Sequence, residues 1–319
     1  MNIGVRSESV AAAPPPRLIM VTGKGGVGKT TVAATLAILS ARQGMRTLVC
    51  ELKAEGRLTE LLGHAPIGNR VTPIEENLWA VNIDPRQAME EYGLLKLRFR
   101  TLYRLVFENP LVKALVRFVP GMDDLLMLGK VFNHEREVDD AHRPVWDRII
   151  VDAPATGHGL TFFRLPQIIR DAVPTGNMHR ETAEMCAMLS DPNKTRRHSV
   201  AIPEELPMEE AFQLKSRLED ELELPMGNLI INRTPPELES EAVEVLRALE
   251  SVSIDGKLVP LMKAGELRRA RLEHARKFIQ RGLRLDPDAI RLPRIFVGKL
   301  GRDELEHLAD VMVQQESRQ

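Results

Sequence analysis

The run Gly23-Lys24-Gly25-Gly26-Val27-Gly28-Lys29-Thr30-Thr31 satisfies the spacing G-x-x-x-x-G-K-[S/T], and each residue type in it answers a requirement of phosphate binding. Glycine tolerates positive φ and close backbone approach, so the N–H groups of Gly23, Gly25, Gly26, Val27 and Gly28 can turn inward toward anionic oxygens. Lys29 is the cation for β- and γ-phosphates, and the Thr30 hydroxyl is a hard-oxygen ligand for Mg2+. Lys29, Thr30 and Thr31 open a helix whose positive end faces the anion. A second constellation is Arg148-Ile149-Ile150-Val151-Asp152-Ala153-Pro154-Ala155-Thr156-Gly157-His158. An Asp closing a buried strand can hold a Mg2+-bound water, and the Gly157 loop beside it can respond to a γ-phosphate. Thr30 and Asp152 are therefore the expected metal residues, and Lys29 and Asp152 the expected catalytic ones.

Elements of a particular kind must position these groups. Apolar runs at Leu18–Val21, Thr47–Cys50, Leu78–Ile83, Ile149–Val151, Ser199–Ile202 and Leu229–Ile231 predict buried strands separated by helical patterns, with a last strand near Leu292–Val297 and a helix from Arg302 to Met312. Such alternation predicts an α/β fold, a doubly wound and mostly parallel sheet covered on both faces. Helical insertions are expected at about 85–142 and 171–195, forming a subdomain at one edge. Residues 1–16 read as a mobile tail and 17–319 as one domain. Seven basic residues between Arg268 and Arg284 read as a solvated helix face.

Composition narrows the classes. Lys plus Arg number 44 and Asp plus Glu 45 in 319 residues, so the net charge of −1 offers no global electrostatic case for nucleic acid. No stretch approaches the ~20 apolar residues that span a bilayer. Two cysteines, Cys50 and Cys186, build neither a disulfide framework nor a soft-metal site within one chain, and a cytoplasmic location is expected.

Lys24, one position after the first glycine, makes the loop similar to the deviant Walker A motif of a class of dimeric P-loop ATPases. That class includes the arsenical-pump ATPase (ArsA), the tail-anchored-protein targeting ATPase, the Min and Par partition ATPases and nitrogenase iron protein. The Asp152 to His158 segment resembles the Asp-Thr-Ala-Pro-Thr-Gly-His switch of the arsenical-pump and tail-anchored-targeting branch. Ala201-Ile202-Pro203-Glu204-Glu205, Pro120-Gly121-Met122-Asp123-Asp124 and Ile230-Ile231-Asn232-Arg233 are similar to further segments of that branch. The resemblance implies ATP/ADP and Mg2+ as cofactors, Lys24 crossing to the partner's nucleotide in a homodimer or a heterodimer with a related subunit, Gly157 as γ-phosphate sensor, and Asn232 as adenine reader. It also implies a nucleotide switch handling a hydrophobic or membrane-protein client.

The sequence departs from the branch at two places. Lys53 stands where the family's switch Asp orients the attacking water, which predicts slow turnover unless Glu51, Glu55 or a partner subunit supplies the carboxylate. The family's Cys-x-x-Cys zinc pair is missing. Two further readings stay open: a low-turnover subunit working with a paralogous partner, and a Min/Par-like positioning ATPase. The Leu-rich segment around Lys96, Arg100 and Arg104, with Met178, Met185 and Met188, reads either as plain packing or as a client groove.

Overall fold

The computed structural model describes residues 16–52, 56–97, 121–237, 244 and 259–317. Eight strands form one sheet in the order β3-β4-β2-β5-β1-β6-β7-β8. They are β1 (Leu18–Gly23), β2 (Thr47–Leu52), β3 (Thr72–Glu75), β4 (Leu78–Ile83), β5 (Arg148–Ala155), β6 (Thr195–Ala201), β7 (Met226–Thr234) and β8 (Ile290–Pro293). Every neighbouring pair is parallel except the edge pair β3 and β4, joined through Glu76-Asn77, where Asn77 takes a left-handed φ of 60°. The α/β, mostly parallel reading therefore holds. Its single antiparallel edge strand was not anticipated, because Thr72-Pro73-Ile74-Glu75 is too short and too polar to stand out.

Nine helices occur among the described residues: α1 (Lys29–Arg42), α2 (Arg57–Leu61), α3 (Pro85–Leu97), α4 (Met122–Arg136), α5 (Thr156–Ala172), α6 (Asn177–Ser190), α7 (Glu205–Leu222), α8 (Val259–Leu285) and α9 (Arg302–Glu316). Strand alternation sorts them to two faces. Ile19, Val21, Val49 and Ile150 join one core with α1, α2 and α9. Leu18, Met20, Leu48, Cys50, Ile149 and Val151 join another with α4, α5, α6 and part of α7. Each such fully buried side chain contributes ~1.5–3 kcal/mol of apolar burial, which is why the central strands read as uninterrupted apolar runs.

Several boundaries differ from expectation. The last strand is Ile290–Pro293 rather than 292–297, because Arg294 to Val297 turn away and leave Phe296 72% exposed. β6 starts at Thr195, four residues early, since its polar residues Thr195 and Arg197 are themselves buried. Pro16, assigned to the tail, is buried and its carbonyl accepts a 2.6 Å hydrogen bond from Arg148. Met185 and Met188 of α6 lie in the core, while Met178 is 40% exposed. Lys53, Glu55, Arg100 and Arg104 lie outside the described residues, as do residues 1–15 of the expected tail. No described helix is long and apolar enough to cross a membrane.

Candidate functional site

The phosphate loop links the last residue of β1 to the first of α1. Gly28 caps α1 at φ 96°, a left-handed conformation, and the helix begins with no acidic residue in its first turn and no side-chain cap. Its orphan N–H donors and positive dipole end are thus left for an external anion. A Cβ on Gly28 would lie 2.2 Å from Asn232 Nδ2, and one on Gly23 would lie 2.3 Å from the Val200 carbonyl oxygen. Both glycines are required by contact as well as by backbone angle. Gly25 and Gly26 meet nothing within 4 Å of a notional Cβ, so their use is conformational or reserved for the ligand.

Parallel register carries Asp152 to the loop. Val21 pairs with Asp152 and Gly23 with Ala155, so the carboxylate stands at the foot of the loop. The Thr30 hydroxyl donates to Asp152 Oδ2 at 2.6 Å, while Asp152 Oδ1 is buried with no hydrogen-bond partner. Burial raises the Asp152 carboxyl above its ordinary range, opposed by the Thr30 hydrogen bond and the charge of Lys29. Lys29 is lowered by burial, with the attraction of Asp152 opposing. Its Nζ donates to the Lys24 carbonyl at 3.1 Å, folded back over the loop that an anion would fill.

A hydroxyl and a desolvated carboxylate with one unpartnered oxygen make a hard-oxygen donor set. That set suits Mg2+, which is commonly held by one or two protein oxygens with phosphate oxygens and water completing its shell. No group of three or more His, Cys, Asp or Glu residues gathers among the described residues.

The remaining expected residues are placed as follows. Asn232, 4% exposed on β7, donates from Nδ2 to the Val27 carbonyl at 2.9 Å, and its Oδ1 accepts the Arg233 N–H at 2.9 Å. The amide buttresses the phosphate loop, with one N–H and one lone pair beyond these two bonds. Arg233 next to it is held at φ 55°. Gly157 lies in the first turn of α5, directly after β5. Lys24 Nζ binds Glu210 Oε1 of α7 at 2.7 Å, with both side chains about one-third exposed. No pattern in the chain pointed to Glu210, 186 residues away.

Glu51, the penultimate residue of β2, stands beside Asp152 in register. It is 0% exposed, and burial pushes its carboxyl above the usual range, opposed by the Leu58 N–H and reinforced by the Asp152 charge. A cleft of about 650 Å3 opens next to the loop, walled by Thr31, Arg57, Asn232, Arg233, Arg294 and Lys299. Its size is that of a small-molecule site, and its basic wall went unread because the arginines come from the start of α2, the end of β7 and the segment after β8.

The sequence profile of the family described as anion-transporting ATPase matches residues 16–185, more than half of the chain. ATPase BagA of Mycobacterium tuberculosis is 29% identical over 295 residues, 88% of this chain and 86% of that protein. ATPase ASNA1 homolog 1 of Paramecium tetraurelia is 27% identical over 256 residues, 67% of this chain and 74% of that protein. ATPase ARSA1 of Chlamydomonas reinhardtii is 24% identical over 320 residues, covering 80% of this chain and 41% of that one.

Proposed function

Because the chain belongs to the anion-transporting ATPase family, we propose that it is a cytoplasmic Mg2+-ATP-dependent switch that closes as a dimer around ATP and reopens after phosphate release, changing the surface offered to a hydrophobic or membrane-associated client. The observation that carries this reading is the 2.6 Å contact of Thr30 with Asp152 at the foot of the glycine-rich loop. Mg2+, when bound, neutralises charge on the β- and γ-phosphate oxygens. Thr30 and Asp152 would hold it. The N–H groups from Gly25 to Thr30 and the Lys29 ammonium bind and orient the phosphates, once Lys29 swings off the Lys24 carbonyl.

Lys24 has a cross-subunit role in this reading, to which the deviant loop lends support. Its pairing with Glu210 then holds it in reserve within one chain. Asn232 and the arginine-walled cleft receive the base, and Gly157, in the first turn after β5, senses the γ-phosphate. A small cavity of about 80 Å3 among α3, α4 and α6, where Met122, Leu125, Leu126, Met178 and Met185 meet Glu91 and Lys130, favours a helical surface that can repack. The test is phosphate release with Mg2+-ATP beside a Lys24→Ala control, with mass by light scattering. ATP-dependent dimers whose turnover needs Lys24 are expected. A monomer whose turnover ignores Lys24→Ala would overturn the dimer reading, and bound ATP without turnover would favour a subunit silenced at Lys53.

A further inference from the structure

Glu51 is a buried carboxylate that the phosphate-loop chemistry above does not use. On β2, Val49 and Glu51 point to the face covered by α1, and on β5 Ile150 and Asp152 point to the same face, since Val49 and Ile150 share one core. Parallel pairing sets Glu51 directly opposite Asp152, on strands spaced about 4.8 Å apart. Each carboxylate uses one oxygen and leaves the other without a partner. Glu51 Oε1 accepts the Leu58 N–H at 2.9 Å, and Glu51 Oε2 is buried and unpartnered. Asp152 Oδ2 takes the Thr30 hydroxyl, and Asp152 Oδ1 is buried and unpartnered. Nearly all buried polar atoms in folded proteins are bonded, and here two register partners, both carboxylates, each leave one buried oxygen over. Lys29 bonds neither oxygen, because its ammonium is directed to the Lys24 carbonyl.

We propose that Glu51 is the second carboxylate of the magnesium site, a positioning residue whose Oε2 accepts a hydrogen bond from a metal-bound water while its Oε1 fixes the start of α2. The assignment rests on the Mg2+-nucleotide reading given above. It ties the metal to Arg57, the first residue of α2 and part of the cleft wall, through one side chain. A plain helix-capping role makes a different forecast, because glutamine retains the Oε1 acceptor for Leu58.

The experiment is Mn2+ binding to the full chain with saturating ADP, followed by the EPR signal of free Mn2+, for wild type, Glu51→Gln and Glu51→Asp. ADP affinity in EDTA and urea unfolding are measured alongside. Loss of an outer-shell partner costs roughly 10–100-fold in metal affinity. Glu51→Gln is therefore expected to raise the Mn2+ dissociation constant by about that factor, with metal-free ADP binding and the unfolding midpoint little changed. Glu51→Asp, which draws the carboxylate back by one methylene, is expected to weaken Mn2+ as well, and it carries the test if the glutamine variant does not fold. Unchanged Mn2+ affinity in either folded variant would overturn the proposal. Failure of the wild type to bind ADP at all would instead refute the nucleotide reading.

Discussion

Gly28→Ala tests the coupling between the phosphate loop and β7. The new Cβ would stand 2.2 Å from Asn232 Nδ2, and ordinary contact needs about 3.4 Å, so the amide must retreat by roughly 1.2 Å. That amide holds the Val27 carbonyl at 2.9 Å in a buried setting, and the retreat breaks the bond. A left-handed φ of 96° adds ~1–2 kcal/mol for a residue with a side chain. Loss of the buried hydrogen bond adds about 1–3 kcal/mol. The expected total is about 2–5 kcal/mol in urea unfolding, with weakened ATP binding.

Gly26→Ala is the internal control. It shares a positive φ, at 84°, and its Cβ meets nothing within 4 Å, so only the backbone cost of ~1–2 kcal/mol is expected. Asn232→Ala removes the obstacle, and combined with Gly28→Ala it should show a favourable coupling of about 1 kcal/mol or more. Equal costs for the two glycines, or strict additivity with Asn232→Ala, would refute the reasoning.

Three other perturbations have expected outcomes. Glu210→Gln frees Lys24 from a pair that is about one-third exposed, and such pairs are worth up to ~1 kcal/mol; ATP-dependent dimerisation in light scattering should strengthen by no more than about fivefold, whereas a weaker dimer would contradict a held-in-reserve Lys24. His198 is buried and lowered from 6.5 to about 4, chiefly by burial. The unfolded chain binds the extra proton between those values, so stability should fall as pH drops from 6.5 toward 4, by about 3 kcal/mol at most. Urea titrations across that window should show the slope, and His198→Gln should flatten it. The Cys50 thiol is 0% exposed and pushed up to about 12 by burial, so Ellman's reagent should reach it only after unfolding, while half-buried Cys186 reacts slowly in the native state. Two fast thiols in native protein would contradict the packing of β2.

The central part of the fold was legible because the physics that makes it is local. Buried parallel strands cannot tolerate polar side chains at mid-strand, so β1, β2, β4 and β7 announce themselves as apolar runs. β6 is the instructive exception. Arg197 is 0% exposed there, its guanidinium donating to the carbonyls of Leu189 and Pro225 at 2.6 and 3.1 Å. Partners 8 and 28 residues away make that burial tolerable, and no window of sequence contains them. The loop was legible for the same local reason, since its spacing joins a strand to a helix over nine residues.

What stayed hidden is what the sheet order brings together. β2 is the second strand in the chain, yet it neighbours β5 rather than β1, because β5 is inserted between them. Only that order sets Glu51 opposite Asp152, 101 residues further on, and only the seating of α7 brings Glu210 to Lys24. In isolation Glu51 is one acid among 45 in a chain nearly neutral overall. What distinguishes it is that its neighbour across the ladder is also a carboxylate, that both are buried, and that each lacks a partner for one oxygen. Placed at the foot of a loop shaped for phosphate, such a pair carries a desolvation cost, and a divalent cation held between nucleotide and protein is the ligand that would offset it.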